Sequence, residues 1–156
     1  MRARMDAVYR LTHAIVNDPA DAADAAQETF VAVWRQLPRL NDPDRFDAWL
    51  RQIAVNAARM SIRARSRRRV REISATAVAA GAAADRASPT DDGARLAAAL
   101  DNLSADQRAL LALHHLEGRS VAEIADVLQI PAGTVKSRLF TARRALDAAL
   151  AEKADR

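Results

Sequence analysis

Ser120-Val121-Ala122-Glu123-Ile124-Ala125-Asp126-Val127-Leu128-Gln129-Ile130-Pro131-Ala132-Gly133-Thr134-Val135 reads as a short helix, a tight break and the opening of a second helix. Ser120 followed by Glu123 is a capping box: the Ser side chain satisfies an early backbone N–H while the Glu carboxylate reaches back. Val121, Ile124, Ala125 and Leu128 then form the inner face of a short helix. Gln129-Ile130-Pro131 makes a tight break, and Ala132-Gly133-Thr134-Val135 opens a longer helix. Two helices joined by so short a turn have the helix-turn-helix layout.

In the second helix Val135, Leu139, Ala142, Leu146 and Leu150 share one face at helical spacing. The other face presents Gly133, Ser137, Phe140, Thr141 and Arg144, with Lys136, Arg138 and Arg143 on its flanks, and no acid stands between Thr134 and Arg144. Such a face suits the major groove. Short polar groups read base edges, Phe140 touches thymine methyls and the cations grip phosphates. An amphipathic helix with a merely solvated charged face is the bland alternative. The capping box, the break and the acid-free basic flank together favour DNA.

Working outward, Leu96, Leu100 and Leu103 line one short helix, Leu110, Leu111, Leu113 and Leu116 line another, and Glu117-Gly118-Arg119 is a turn. Upstream, from Glu72 to Ala94, large apolar residues almost vanish, Gly81, Pro89 and Gly93 appear, and most charges are negative. That stretch cannot bury enough surface to offset its ordering entropy, so a flexible acidic, Ala-rich linker is expected over 71–94. Further back, Val8, Leu11, Ile15 and Val16 share a helical face, Asn17-Asp18-Pro19 ends one helix and caps the next, and Ala26, Phe30, Val33 and Leu37 recur at helical spacing. Leu37 to Asp44 holds two prolines and reads as a loop. Phe46, Trp49, Leu50, Ile53, Ala57 and Met60 make a third stripe that runs into an arginine cluster, Arg59 to Arg71. Trp34 and Trp49 lie on or beside these stripes and are expected to pack in the core.

The fold class is therefore all-α: two small helical domains, 1–70 and 95–156, each with a modest core, joined by the linker. The formal net charge of +4 says little by itself, but the basic residues gather in two separated patches, suggesting two places that meet phosphates. The absence of cysteine excludes disulfides and thiolate metal sites. No signal-peptide core and no apolar run of about 20 residues occurs, so a cytoplasmic protein without a membrane segment is expected. His13, His114 and His115 are the only histidines; the adjacent pair should point to different sides of a helix and lacks zinc-site spacing. With no phosphate-binding Gly loop, nucleophile elbow or Cys nucleophile, we expect no catalytic residue, metal, cofactor or small-molecule substrate.

Ser120-Val121-Ala122-Glu123-Ile124-Ala125, Ile130 to Leu139, and Ala142-Arg143 resemble region four of the extracytoplasmic-function (ECF) sigma factors of bacterial RNA polymerase. Asp21-Ala22-Ala23-Asp24-Ala25-Ala26-Gln27-Glu28-Thr29-Phe30 with Trp34, then Phe46-Asp47-Ala48-Trp49-Leu50, Ile53-Ala54-Val55-Asn56 and the arginine run, resemble their region two. The two motifs stand in the family's order and separation and cover nearly the whole chain.

The resemblance implies a sigma factor with core RNA polymerase and promoter DNA as partners; it also leaves room for an anti-sigma factor, which holds many relatives inactive. Asp24, Gln27 and Glu28 would face the polymerase clamp. The loop from Pro38 to Arg45 would hold an unstacked base of the opened minus-10 strand, through Leu40 and Asn41 with Asn56 beneath, and Arg59 and Arg63 would grip nearby phosphates. Ala132, Gly133, Lys136, Ser137, Arg138, Phe140, Thr141 and Arg144 would meet the minus-35 element, with His114 approaching it. The linker would thread toward the RNA exit channel.

Three departures from the family pattern stand out. The chain starts close to the segment around Tyr9, where the family has a further helix and a half, so an under-packed first module or an upstream start is expected. Leu40 stands where an aromatic is common. His114 replaces a common arginine, from which we expect DNA affinity to rise as pH falls through the imidazole range. The competing reading is a helix-turn-helix regulator that binds DNA without being a polymerase subunit, which gives no role to the Gln27-Glu28-Thr29-Phe30 helix. A sigma-like protein that binds polymerase but cannot open promoters is a third.

Overall fold

The computed structural model describes residues 2–75 and 91–154, and every described element is helical. In the first half, α1 (Arg2–Val16), α2 (Pro19–Gln36) and α3 (Phe46–Ala75) pack on one another as a three-helix unit. Asn17 takes a left-handed turn (φ 58°) between α1 and α2. Asp18 caps α2 by accepting from the Asp21 N–H at 3.0 Å, and Pro19 occupies the first turn, where no N–H is needed. The buried Thr12 hydroxyl lies 3.0 Å from the Tyr9 carbonyl and 3.1 Å from that of Ala22, tying α1 to α2. Two short 3-10 turns, Leu37–Arg39 and Pro43–Arg45, shape the loop before α3.

In the second half, α4 (Asp91–Leu100), α5 (Ala105–Leu111), α6 (Val121–Leu128) and α7 (Ala132–Ala154) follow. Helix α5 does not stop at Leu111 but widens into a π-helical turn, Ala112–Leu116, closed by the Glu117 N–H on the Ala112 carbonyl at 3.1 Å. Gly118, at φ +62°, makes the turn that follows, a conformation L side chains rarely adopt.

The two halves do not keep separate cores. Val8, Leu11 and Ile15 of α1, Leu50 and Val55 of α3, Leu110 and Leu113 of the α5 segment, and Ile124, Val135 and Leu139 of the helix-turn-helix belong to one buried cluster. The expectation of two small cores gives way to one shared core because α5 and its π turn pack against α1 while α6 packs against α3. A chain poor in aromatics gains burial by joining two thin helical layers. The first module is correspondingly well packed, with Leu11 and Ile15 at or below 1% exposure.

The linker boundaries also shift: α3 is regular through Ala75 and α4 begins at Asp91, where Asp91 and Asp92 favour the helix dipole. The remainder of the expected linker, and with it the route toward the exit channel, lies outside the described residues.

Candidate nucleic-acid interface

Helix α7 is positioned from both ends of the turn before it. Ser120 and Glu123 form the reciprocal capping box at the start of α6, the Ser hydroxyl accepting from Glu123 N–H at 3.2 Å and the carboxylate accepting from Ser120 N–H at 2.7 Å. That backbone bond, with help from Arg119, holds the Glu123 carboxyl below its ordinary range. Gln129 ends α6 in the left-handed conformation (φ 55°), and α7 opens at Ala132 after Pro131. Val135, Leu139 and Ala142 are buried against the core, as their spacing requires.

The opposite face of α7 is open. Ala132, Gly133, Lys136, Ser137, Arg138, Phe140, Thr141 and Arg144 are all exposed, Phe140 by 62%. The Arg144 guanidinium sits 5.8 Å from the Phe140 ring centroid, which orients both side chains outward together. The hydroxyls of Ser137 and Thr141 donate back to the Thr134 and Ser137 carbonyls at 3.1 Å and keep oxygen lone pairs for an outside donor. His114 stands behind this face. Both its ring nitrogens lie 3.5 Å from Arg143 Nη2, and its ring meets that of His115 at 4.7 Å, edge to face. The two rings thus come together and do not point to different sides, because the π turn and Arg143 gather them. Burial, followed by the charges of His114 and Arg143, holds the His115 imidazole below its ordinary range.

A second basic face runs along the start of α3. Arg45, Trp49, Gln52, Asn56, Arg59 and Arg63 recur every three or four residues and so share one stripe. Leu40 and Asn41 of the loop, with Arg45, Trp49 and Gln52, line a cavity of about 280 Å³ completed by Asp126 and Gln129 of the other half. Asn56 does not line it; it is exposed one turn further along α3. Arg59 is engaged by Asp106 at 2.7 Å, and Arg63 is exposed. Trp49 is half-buried at the cavity wall and only partly a core residue.

The third expected group, Asp24, Gln27 and Glu28, is exposed on α2. The same face holds a residue that helical spacing predicts for the core. Trp34 is 83% exposed, seven residues beyond Gln27 and hence two turns along the same stripe. Its helical spacing from Phe30 and Val33 hid this, because those two residues alone fill the space against the core. Leu37 and Met60, read as stripe positions, are likewise exposed.

Among the described residues no group of histidines, aspartates and glutamates could hold a metal ion. No described helix is long and apolar enough to cross a membrane.

Comparison with known proteins places the two halves in two regions of one family. Residues 1–68 match the family model of sigma-70 region 2 and residues 93–146 that of sigma-70 region 4. The chain is 35% identical over 146 residues to the RNA polymerase sigma-H factor of Pseudomonas aeruginosa, covering 86% of this chain and 76% of that protein. It is 34% identical over 158 residues to the ECF RNA polymerase sigma factor SigE of Mycolicibacterium smegmatis, covering 94% of this chain and 58% of that longer protein. Among solved structures it is similar to the sigma factor RpoE of Bartonella quintana in complex with the anti-sigma factor NepR, with TM-score 0.72 and 27% identity over 97% of this chain and 93% of that one. It also resembles CnrH in complex with the cytosolic domain of CnrY, with TM-score 0.68 and 30% identity over 96% and 84% of the two chains. The region 2 match gives a place to the α2 helix and the loop after it, which a plain helix-turn-helix regulator leaves unexplained. With both regions present in order and relatives of this kind on either side, the chain belongs to the sigma-70 family and is a sigma factor of the extracytoplasmic-function type.

Proposed function

We propose that the chain divides promoter recognition between its two basic faces and polymerase binding onto a third. The open face of α7, with Ser137, Phe140 and Thr141 reading in the groove, Lys136, Arg138 and Arg144 gripping its phosphates, and Ala132 and Gly133 allowing close approach, takes the minus-35 duplex. The α3 stripe takes the minus-10 strand: the cavity beside Leu40 and Asn41 receives an unstacked base, Asn56 reads an edge, and Arg59 and Arg63 hold phosphates. Asp24, Gln27, Glu28 and the exposed Trp34 dock on core RNA polymerase, the indole supplying the apolar anchor and the carboxylates the complementarity to a basic partner.

No bond chemistry is needed. The protein favours promoter opening by binding the melted strand better than the duplex, which shifts the equilibrium by that difference in affinity. It acts as a regulatory subunit in the cytoplasm, without catalysis of its own. The first helical unit ends with α3 and the second begins with α4, and an anti-sigma partner of the kind seen with RpoE is a natural regulator.

The observation that carries this reading is the stripe from Arg45 along α3, six residues at helical spacing that join three arginines, two amides and an indole beside a cavity of about 280 Å³. Permanganate footprinting of unpaired thymines tests it. With core polymerase and a cognate promoter, the wild-type chain gives minus-10 reactivity that Asn56→Ala or Arg63→Ala reduces. Undiminished reactivity in both variants excludes the stripe as the strand-reading face.

A further inference from the structure

His114 and His115 meet one cation. Arg143 Nε donates to His115 Nε2 at 3.3 Å, and Arg143 Nη2 lies 3.5 Å from both ring nitrogens of His114. Arginine carries donors only, so each imidazole must present a lone pair to it. His114, reached equally at both nitrogens, offers one in either neutral tautomer, whereas an imidazolium offers none. Neighbouring side chains on an ordinary helix diverge, and the wider π turn is what brings the two rings to 4.7 Å. Arg143 follows Lys136 and Phe140 at helical spacing, so it stands at the edge of the exposed α7 face.

The charges around this cluster are engaged elsewhere. Glu117, next after the turn, pairs with Arg51 and lies 3.9 Å from Arg119. On α6, Glu123 accepts from the Ser120 N–H and pairs with Arg119, and Asp126 pairs with Arg45. On α5, Asp106 holds Arg59, and Arg108 donates to the Leu100 carbonyl. On α1, Arg4 is bridged to Asp47 and His13 lies against the Tyr9 ring, while Asp6 and Arg10 are exposed. Along α7, Arg144 leans over Phe140, and Asp147, one turn beyond Arg143, is exposed and forms no ion pair with it. Among the described residues, then, two imidazoles hold the Arg143 guanidinium and no carboxylate does.

We infer that His114, His115 and Arg143 form a proton-gated clamp for a DNA phosphate. With both rings neutral, the imidazoles hold the guanidinium back against the π turn. Protonation removes their lone pairs, makes the contact repulsive and frees Arg143 to reach outward, with the imidazolium charge beside it. A phosphate complements the protonated cluster, because its oxygens accept from all three groups. The inference rests on the proposed role of α7 as the duplex face. Bound phosphate favours the charged rings, so the complex takes up protons as it forms. The added affinity is fully present below the imidazole range and is lost as pH rises through it. In the free chain burial, then His114 and Arg143, hold the His115 imidazole below its ordinary range, so at about pH 7 that ring is neutral and the clamp is shut.

The test uses the full chain and a fluorescein-labelled, mixed-sequence duplex of about 20 base pairs, read by anisotropy at constant ionic strength. Between about pH 7.5 and about pH 5.5 wild-type affinity rises about tenfold, the uptake of about half a proton per complex. His114→Gln/His115→Gln, whose amide oxygens still accept from Arg143 but do not titrate, limits the rise to about twofold. His13→Gln, on α1, keeps the full rise. Arg143→Ala weakens binding about tenfold at the lower pH and at most about twofold at the higher, where the neutral rings already withhold that side chain. Where the double histidine variant does not fold, His115→Gln alone keeps the test, since that position is exposed. Equal rises in wild type and the histidine variant, or equal losses for Arg143→Ala at both pH values, overturn the clamp. The Lys136→Ala/Arg144→Ala pair separates the two claims. Weaker binding by that pair, with a pH rise that the histidine variant keeps, sinks the clamp and spares the α7 reading. Unchanged binding by that pair, with a rise that the histidine variant loses, does the reverse, and no duplex binding at either pH overturns both.

Discussion

Arg51 and Glu117, 66 residues apart in sequence, form an ion pair across the junction of the two helical units, with their side chains only 17% and 10% exposed. Arg51 also donates to the Asp47 carbonyl at 2.9 Å, and Arg119 Nε approaches the same Glu117 oxygen at 3.9 Å. Removing Glu117 therefore strands a largely dehydrated guanidinium. We expect Glu117→Ala to lower unfolding free energy by about 2 kcal/mol, the penalty for breaking a mostly buried pair from one side. Asp106→Asn, whose carboxylate is 59% exposed, should cost under about 1 kcal/mol. Urea titrations of both variants check the order, and equal losses would remove the special status of the Arg51 pair.

Trp34 offers the opposite case, a large side chain with almost nothing to lose on folding. Trp34→Ala should leave stability within about 0.5 kcal/mol of wild type while weakening polymerase binding at least about tenfold, as expected of an aromatic anchor. Competition for core polymerase against the wild-type chain measures the second effect. A stable variant that competes equally well would take Trp34 out of the docking face.

Lys136 and Arg144 stand exposed on α7 and make no contact on which the core depends. The double variant Lys136→Ala/Arg144→Ala should fold normally and lose affinity for minus-35 duplex. The slope of log affinity against log salt should fall by about 2, one for each phosphate contact removed. An unchanged slope would mean that neither cation meets the backbone.

The His115 imidazole titrates below its ordinary range in the folded chain, held there first by burial and then by His114 and Arg143. As pH falls through the ordinary imidazole value of about 6.5, the unfolded chain takes up its proton before the folded one. The contribution to stability is thus fully present above that pH and declines below it, down to the folded value. Thermal melts at about pH 7.5 and about pH 5.5 should show a smaller drop for His115→Gln than for wild type. Identical drops would contradict the assignment. The same cluster bears on DNA binding, since Arg143 lies 3.3 Å from His115 and flanks the α7 face.

Most of the fold was legible in short-range chemistry. Asp18-Pro19 and Ser120…Glu123 cap helices as their side chains dictate, and Val135, Leu139 and Ala142 point inward at the spacing the sequence shows. What stayed hidden depends on partners distant in sequence. Nothing near Asp106, Glu117 or Asp126 announces that each meets an arginine of the other unit. Trp34 and Met60 satisfy helical periodicity yet face outward, because periodicity marks a stripe without saying where its burial ends. The π turn at Ala112–Leu116, which draws His114 and His115 together, has no sequence signature that separates it from ordinary helix. The three surfaces are marked by residue type and spacing, but the ion pairs that cross from one helical unit to the other are not.

Run-off transcription with purified core RNA polymerase, this chain and a genomic promoter library engages both basic faces and the polymerase-docking face at once. Promoter-specific transcripts should require the chain and be lost with Asn56→Ala or with the Lys136→Ala/Arg144→Ala pair. Stable binding of the chain to polymerase and to duplex DNA without any such transcript would contradict the proposed division of surfaces.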